Sequence, residues 1–215
     1  MKNHALVITA LLGGLLGSGC VTGRRTVALP VSHVPGTGPS RGSLNIGSIE
    51  DQRTFQNQPA DASTPSVGGD VTTCSKDELA TMIGRHRNGN GHAMGDIALP
   101  AGDSVLQRTH ALLEEGLKRR GYAIAGDSSS GGTATVQIDE FWAWFTPGMW
   151  TVSFQASVVC RITITRDGNA RKLLVKGYGR NQGQVANDAD WQLAYARAFD
   201  AFLANLDAAL SDAGL

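Results

Sequence analysis

Between Trp150 and Ile164 every even position is apolar or small (Trp150, Val152, Phe154, Ala156, Val158, Cys160, Ile162, Ile164), and most odd positions are polar. A period of two over so long a run predicts a strand with one buried and one wet face in an antiparallel sheet. The preceding segment, Thr133 to Phe145, starts in the same phase with Ala134, Val136 and Ile138, but Glu140 breaks the parity before Phe141. A bulge at Asp139 or Glu140 explains the slip and bends the end of this hairpin. Asp167-Gly168 then turns the chain into a third strand, Arg171 to Arg180.

Helical spacing appears twice. Leu106, Leu113 and Leu117 share one face of a helix that Asp103 or Ser104 can cap, and it ends at Lys118, Arg119 and Arg120 before Gly121. Trp191, Tyr195, Phe199, Phe202, Leu206 and Leu210 form a stripe on a terminal helix from Asp188 to Leu210, with Asp188 as its cap. Weaker patterns predict strands at Leu44 to Ile49 and from Tyr122 to Ala125, and a short extended piece at Thr26 to Val31. Residues 54–99 read as a long Gly/Asn/Pro/Ser/Thr-rich loop, holding one helical turn at Lys76 to Ile83 and an irregular hairpin around Arg85 to Ile97. These elements predict an α+β fold, a largely antiparallel sheet of long meander strands with two helices packed on one face.

Composition narrows the functional classes. The 215 residues are 41% hydrophobic, enough for one modest core. Lys+Arg and Asp+Glu both number 19, so no net field draws the chain to phosphate backbones and nucleic acid is an unpromising partner.

The first 19 residues have the build of an export signal: Lys2, an apolar run from Ala5 to Leu16, then Gly17, Ser18 and Gly19. That run is too short for the ~20 residues a membrane-crossing helix needs. Small residues ending at Cys20 resemble the lipobox of bacterial lipoproteins, which implies lipidation of Cys20 as the first residue of the mature chain. Because Val21, not Asp, follows, the resemblance implies the periplasmic face of the outer membrane. Residues 20–43, with Pro30, Pro35 and Pro39 and no periodic apolar pattern, read as a flexible tether. It would hold a domain of residues 44–215 roughly 25 Å from the lipid on average.

Val27 to Leu29 with its proline-rich follow-on, Glu50 to Thr54 (EDQRT), Arg119 to Ile124 (RRGYAI), Val136 to Ala143 (VQIDEFWA) and the long alternating strand look like the YajG-type family of bacterial lipoproteins. The resemblance implies an outer-membrane lipoprotein whose biochemical role is poorly defined. The plan is also similar, more distantly, to auxiliary lipoproteins of lipid-transporting ABC systems, which implies a groove between sheet and helices able to hold acyl chains.

No nucleophile elbow, phosphate loop or metal motif stands in the sequence, so neither a catalytic residue nor a cofactor is expected. His86, His92 and Asp96 could in principle meet at a metal, but their spacing matches no ligand set, and a solvated turn is the simpler reading. Cys74 and Cys160 could bridge in an oxidising compartment, or Cys160 could be a buried free thiol on its strand's apolar face. An envelope enzyme is the weakest of three alternatives; a domain that binds an envelope protein or lipid leads. Asp51 and Arg53, two apart at a strand end, point the same way and can form a structural or recognition pair. FWAWFTPGMW, residues 141–150, holds three of the four tryptophans. Its core-facing rings are expected to be Trp142 or Trp144 with Trp150. Phe141 and Phe145 are then wet, and with Met149 and Trp150 make the candidate interaction lip.

Overall fold

The computed structural model describes residues 23–35, 39–87, 92–126, 131–148, 151–183 and 187–215. In chain order the elements are β1 (Arg25–Thr26), β2 (Ser43–Asp51), α1 (Lys76–Thr81), β3 (Met82–Arg87), β4 (Ala93–Ala98), α2 (Val105–Arg119), β5 (Ala123–Ile124), β6 (Thr133–Pro147), β7 (Val152–Arg166), β8 (Asn169–Gly183) and α3 (Asp188–Asp212).

Eight strands form one sheet. β6, β7 and β8 are the expected antiparallel meander, and Asp167 (φ 50°) with Gly168 (φ 75°) makes the tight turn between β7 and β8. The other side of β6 is shared end to end: β2 pairs with it in parallel from Asn45↔Thr133 to Asp51↔Ile138, and β3 joins in parallel at Gly84↔Ala143. β5 lies parallel to β2, β1 lies parallel to β4, and β3 and β4 form an irregular antiparallel hairpin. The sheet is therefore mixed, which corrects the antiparallel sheet expected from sequence. Alternation reports which side chains are wet; it carries no information on the direction of a neighbour that joins from a distant part of the chain.

α2 and α3 cover one face. Ser104 caps α2, its Oγ accepting the Gln107 N–H at 3.3 Å, and Gly121 follows the helix at φ 97°. α3 is capped by Asn187, whose Oδ1 accepts the Asp190 N–H at 3.0 Å; Asp188, the expected cap, is its first helical residue. The α3 stripe is buried against Phe141, Phe154 and their neighbours. Small residues let this helix lie directly on β8. A Cβ on Gly179 would stand 2.1 Å from the Ala194 carbonyl oxygen, and one on Gly177 2.2 Å from that of Ala198.

The 24–35 stretch is no free tether. Arg25 and Thr26 pair with Ile97 and Ala98, Val27 and Leu29 are 1% and 2% exposed in the main core, and Arg108 and Gln192 hydrogen-bond the Leu29 and Ala28 carbonyls. The extended piece expected at Thr26 to Val31 is thus docked, not part of a free tether; two apolar residues at i and i+2 suffice to dock it.

On the opposite face a second, smaller core of Val67, Met82, Ala98 and Trp142, with Phe55 and Leu79 against it, is roofed by residues 54–75.

Candidate functional site

Arg53 sits at the seam where β2 has ended and β3 has not begun. Its Nε and Nη2 donate to the two Asp51 oxygens at 2.8 and 2.7 Å, as the spacing predicted. Its remaining hydrogens cross to other elements, Nη1 to the carbonyls of Met82 (2.6 Å) and Phe141 (2.9 Å), Nη2 to that of Leu79 (2.8 Å). With five donor contacts made, and the Phe55 ring 5.0 Å from its central carbon, the buried guanidinium has no hydrogen left for a ligand. Asp51 and Arg53 thus form the pair expected, engaged in holding β2, α1, β3 and β6 together.

The aromatic hairpin is the reverse of the expectation. Register skips between Ile138↔Cys160 and Glu140↔Val159, so the bulge falls at Asp139 and moves odd residues inward. Phe141 is 0% and Phe145 6% exposed; the first stacks on Tyr195 (5.3 Å) and the second meets Trp191 edge-on (6.4 Å). Trp142 is buried in the second core, its Nε1 donating to the Ala62 carbonyl at 3.2 Å, and Trp144 is half-buried beside it. An interaction lip at Phe141 and Phe145 is therefore corrected: neither ring is accessible. Met149, Trp150 and Cys20 lie outside the described residues.

What the fold does expose is the outward face of β8. Lys172, Leu174, Lys176, Tyr178 and Arg180 alternate along it, with Leu174 57% and Tyr178 52% exposed. Beside Leu174 an open groove of about 520 Å³ is floored by Thr135, Gln137, Arg161 and Thr163. Among the described residues β8 has a strand partner on one side only, and α3 tends its other edge: Asn205 donates to the Lys176 carbonyl (2.7 Å) and Arg197 to that of Arg180. The Tyr178 hydroxyl donates to Gln155 Oε1 at 2.8 Å. Sequence could have found this patch, since Leu174 and Tyr178 occupy even positions in a strand whose odd positions, Val175, Gly177 and Gly179, face the helix.

The ionisable groups on which a chemical role could rest are otherwise engaged. His33 Nδ1 lies 2.6 Å from Glu115 Oε2, but that carboxylate also accepts the Val34 N–H (2.7 Å) and Arg119 Nε (2.6 Å), and the His33 side chain is 67% exposed. The cluster straps the N-terminal segment to α2. His86 lies against Phe145 on the helix side while Asp96 is on the outward side, so the two do not converge on a metal. Among the described residues no group of three potential ligands is assembled. Cys74 and Cys160 are not bridged; Cys160 belongs to the helix-side core and Cys74 packs against the outward one, so the sheet separates them. Burial, aided by Asp139, pushes the Cys160 thiol far above its ordinary range, and burial with Glu78 raises Cys74, the opposite of an activated nucleophile.

No family model matches the sequence, nor does any curated protein. The YajG-type resemblance therefore stands on its motifs alone. Similar solved structures include a Xanthomonas campestris protein of the DUF330 family (9% identity, 89% of this chain and 97% of that one, TM-score 0.49). They also include a hypothetical protein of Chlamydia trachomatis (11%, 80% and 99%, 0.33) and a lipoprotein of Neisseria meningitidis (13%, 70% and 89%, 0.23). At these scores the likeness is one of general outline. No described helix is long and apolar enough to cross a membrane.

Proposed function

We propose that the chain is a lipid-anchored, non-enzymatic domain of the bacterial envelope, held at the periplasmic face of the outer membrane through Cys20, that binds another envelope protein through the outward face of β8. The observation that carries this reading is the exposed Leu174 and Tyr178 pair, flanked by Lys172, Lys176 and Arg180 on a regular, well-supported strand. An apolar pair within a basic frame fits a partner surface that is apolar at its centre and acidic at its rim. The binding role is further supported by the engagement of Arg53, Asp139 and Glu115 in structural bonds, and the anchor by the signal and Cys20. The alternative, an auxiliary lipoprotein of a lipid transporter, would have to act through this same face. Sheet and helices meet with Phe141, Phe154, Tyr195 and Phe202 at 1% exposure or less, which fills the groove an acyl chain would occupy.

Two measurements test this. The intact mass of membrane-extracted protein should show acyl groups on a chain beginning at Cys20. The doubly substituted Leu174→Asp, Tyr178→Asp protein should stay folded and lose its co-purifying partner. An unacylated chain, or unchanged partner recovery, contradicts the corresponding half.

A further inference from the structure

The exposed side chains of β8 belong to the same residues that form its outer edge. The two-residue turn at Asp167-Gly168 closes on the pair Arg166↔Asn169, which sets the hydrogen-bond phase of the hairpin. Odd residues of β8 exchange backbone bonds with β7, so even residues direct N–H and C=O to the opposite side. The carbonyls of Lys176 and Arg180 do point there, since Asn205 Nδ2 and Arg197 Nη1 of α3 donate to them. Lys172, Leu174, Lys176, Tyr178 and Arg180 thus present side chains on the outward face and backbone groups on the edge.

α3 covers this edge sparsely. Asn205 and Arg197 take two carbonyls, while Ala201, four residues from each on the same helix face, carries no donor. Among the described residues no backbone group pairs with the N–H of Leu174, Lys176 or Tyr178 on this side. An extended edge with unpaired N–H and C=O groups is a template for a further strand.

Charge selects which strand. Lys172 and Lys176 meet no carboxylate among the described residues, and Arg180 donates to the neutral Ser153 Oγ at 2.8 Å. On neighbouring β7, by contrast, Arg161 and Arg166 are paired with Asp139 and Asp167. A second copy fits badly: every two-fold register that sets Leu174 or Tyr178 opposite an apolar residue of the other copy also sets cation opposite cation. Acidic residues opposite the three cations turn the same geometry into attraction.

We propose that β8 receives an added strand from its partner, an extended segment with acidic residues opposite Lys172, Lys176 and Arg180 and apolar residues opposite Leu174 and Tyr178. The incoming N–H groups replace Asn205 and Arg197 at the two carbonyls. This rests on the assignment of β8 as the contact strand, and adds the mode of contact and the partner's pattern.

The test is amide hydrogen exchange on the full lipidated chain in non-ionic detergent, with a synthetic peptide carrying glutamate at its first, fifth and ninth positions, valine at the third and seventh, and threonine elsewhere. Without peptide the amides of Leu174, Lys176 and Tyr178 should exchange fast and those of Val175 and Gly177 slowly. The peptide should slow the first set about tenfold or more, and its analogue N-methylated at glutamate and valine should not. Lys176→Glu should weaken peptide binding about tenfold, whereas Asn205→Ala, which clears a carbonyl, should tighten it; a merely structural role for Asn205 would not give the second sign. Circular dichroism of both variants checks folding. Binding that leaves the even amides fast, or equal binding of the methylated peptide, overturns strand addition while the face contact stands. No binding to folded protein also overturns it, and self-association of Asn205→Ala would give the edge to a second copy instead. Failure of the underlying assignment shows separately, as unchanged partner recovery by the doubly substituted Leu174→Asp, Tyr178→Asp protein.

Discussion

The Nη1 of Arg53 reaches across 88 residues of sequence to donate to the carbonyl of Phe141 at 2.9 Å, at the gap in β6's pairing between its β2 and β3 partners. One side chain does there what a backbone N–H of a continuous strand would otherwise do. Removing it leaves three carbonyls without this donor and Asp51 without its counter-charge. Arg53→Ala should cost about 3 kcal/mol or more in urea unfolding, and Arg53→Lys, lacking the planar fork, should recover only part of that. Residues 54–75, fastened beside the seam, should also become faster to proteolyse. A loss below about 1 kcal/mol would mean that the seam is held by something else.

The bulge at Asp139 makes a second, sharper distinction. Phe141→Ala should cost about 3–5 kcal/mol, the range for emptying a fully buried aromatic site. Trp144→Ala, half-buried on the other face, should cost clearly less. Equal losses in thermal unfolding would place the parity switch elsewhere.

At Gly179 the helix α3 and strand β8 touch backbone to backbone. Gly179→Ala should push them apart and lower stability by about 1–3 kcal/mol, as overpacking does, although alanine has the better intrinsic propensity in a strand. Gly168→Ala, at a turn with open space around it, tests the contrast: its cost comes only from the φ of 75°.

Stability should fall in two limbs as pH drops. Burial, with Arg25 adding to it, holds the His86 pKa below its ordinary 6.5. The unfolded chain therefore takes up that proton first, and stability is lost as pH falls from 6.5 through the lower folded value. For Glu115 burial favours the neutral acid, but the Val34 N–H, Arg119 and His33 outweigh it and hold its pKa below 4.5, so its contribution is lost below that pH. His86→Phe should flatten the first limb in denaturant melts and leave the second; loss of both limbs together would reject the assignment.

Local pattern makes much of this fold readable in the chain itself. The alternation of β7, the slip at Glu140, the Asp167-Gly168 turn and the Ser104 cap are all written in neighbouring residues. The parallel pairing of β2 with β6 is not, because it joins residues some 90 positions apart whose side-chain pattern is indifferent to strand direction. The aromatic end reads inside out when the bulge's effect on parity is not carried past Asp139, which reverses Phe141 and Trp142. The extended piece around Val27 and Leu29 is legible, but its docking is not, because only two apolar side chains among prolines carry it. Asp51 and Arg53 are legible as a pair, but the three carbonyls that complete Arg53 come from parts of the chain that only the tertiary fold brings near. The exposed face of β8 is present in its alternation, yet the denser cluster of rings at 141–150 is the stronger compositional signal for a contact surface.

The most direct test places a photo-crosslinking residue at Tyr178, and as a control at Phe145, in cells making the lipidated protein. A discrete protein adduct from Tyr178 and none from Phe145 is the predicted result. Adducts from Phe145, or none from Tyr178 while the protein is acylated and folded, would contradict an envelope-protein contact on the outward face of β8.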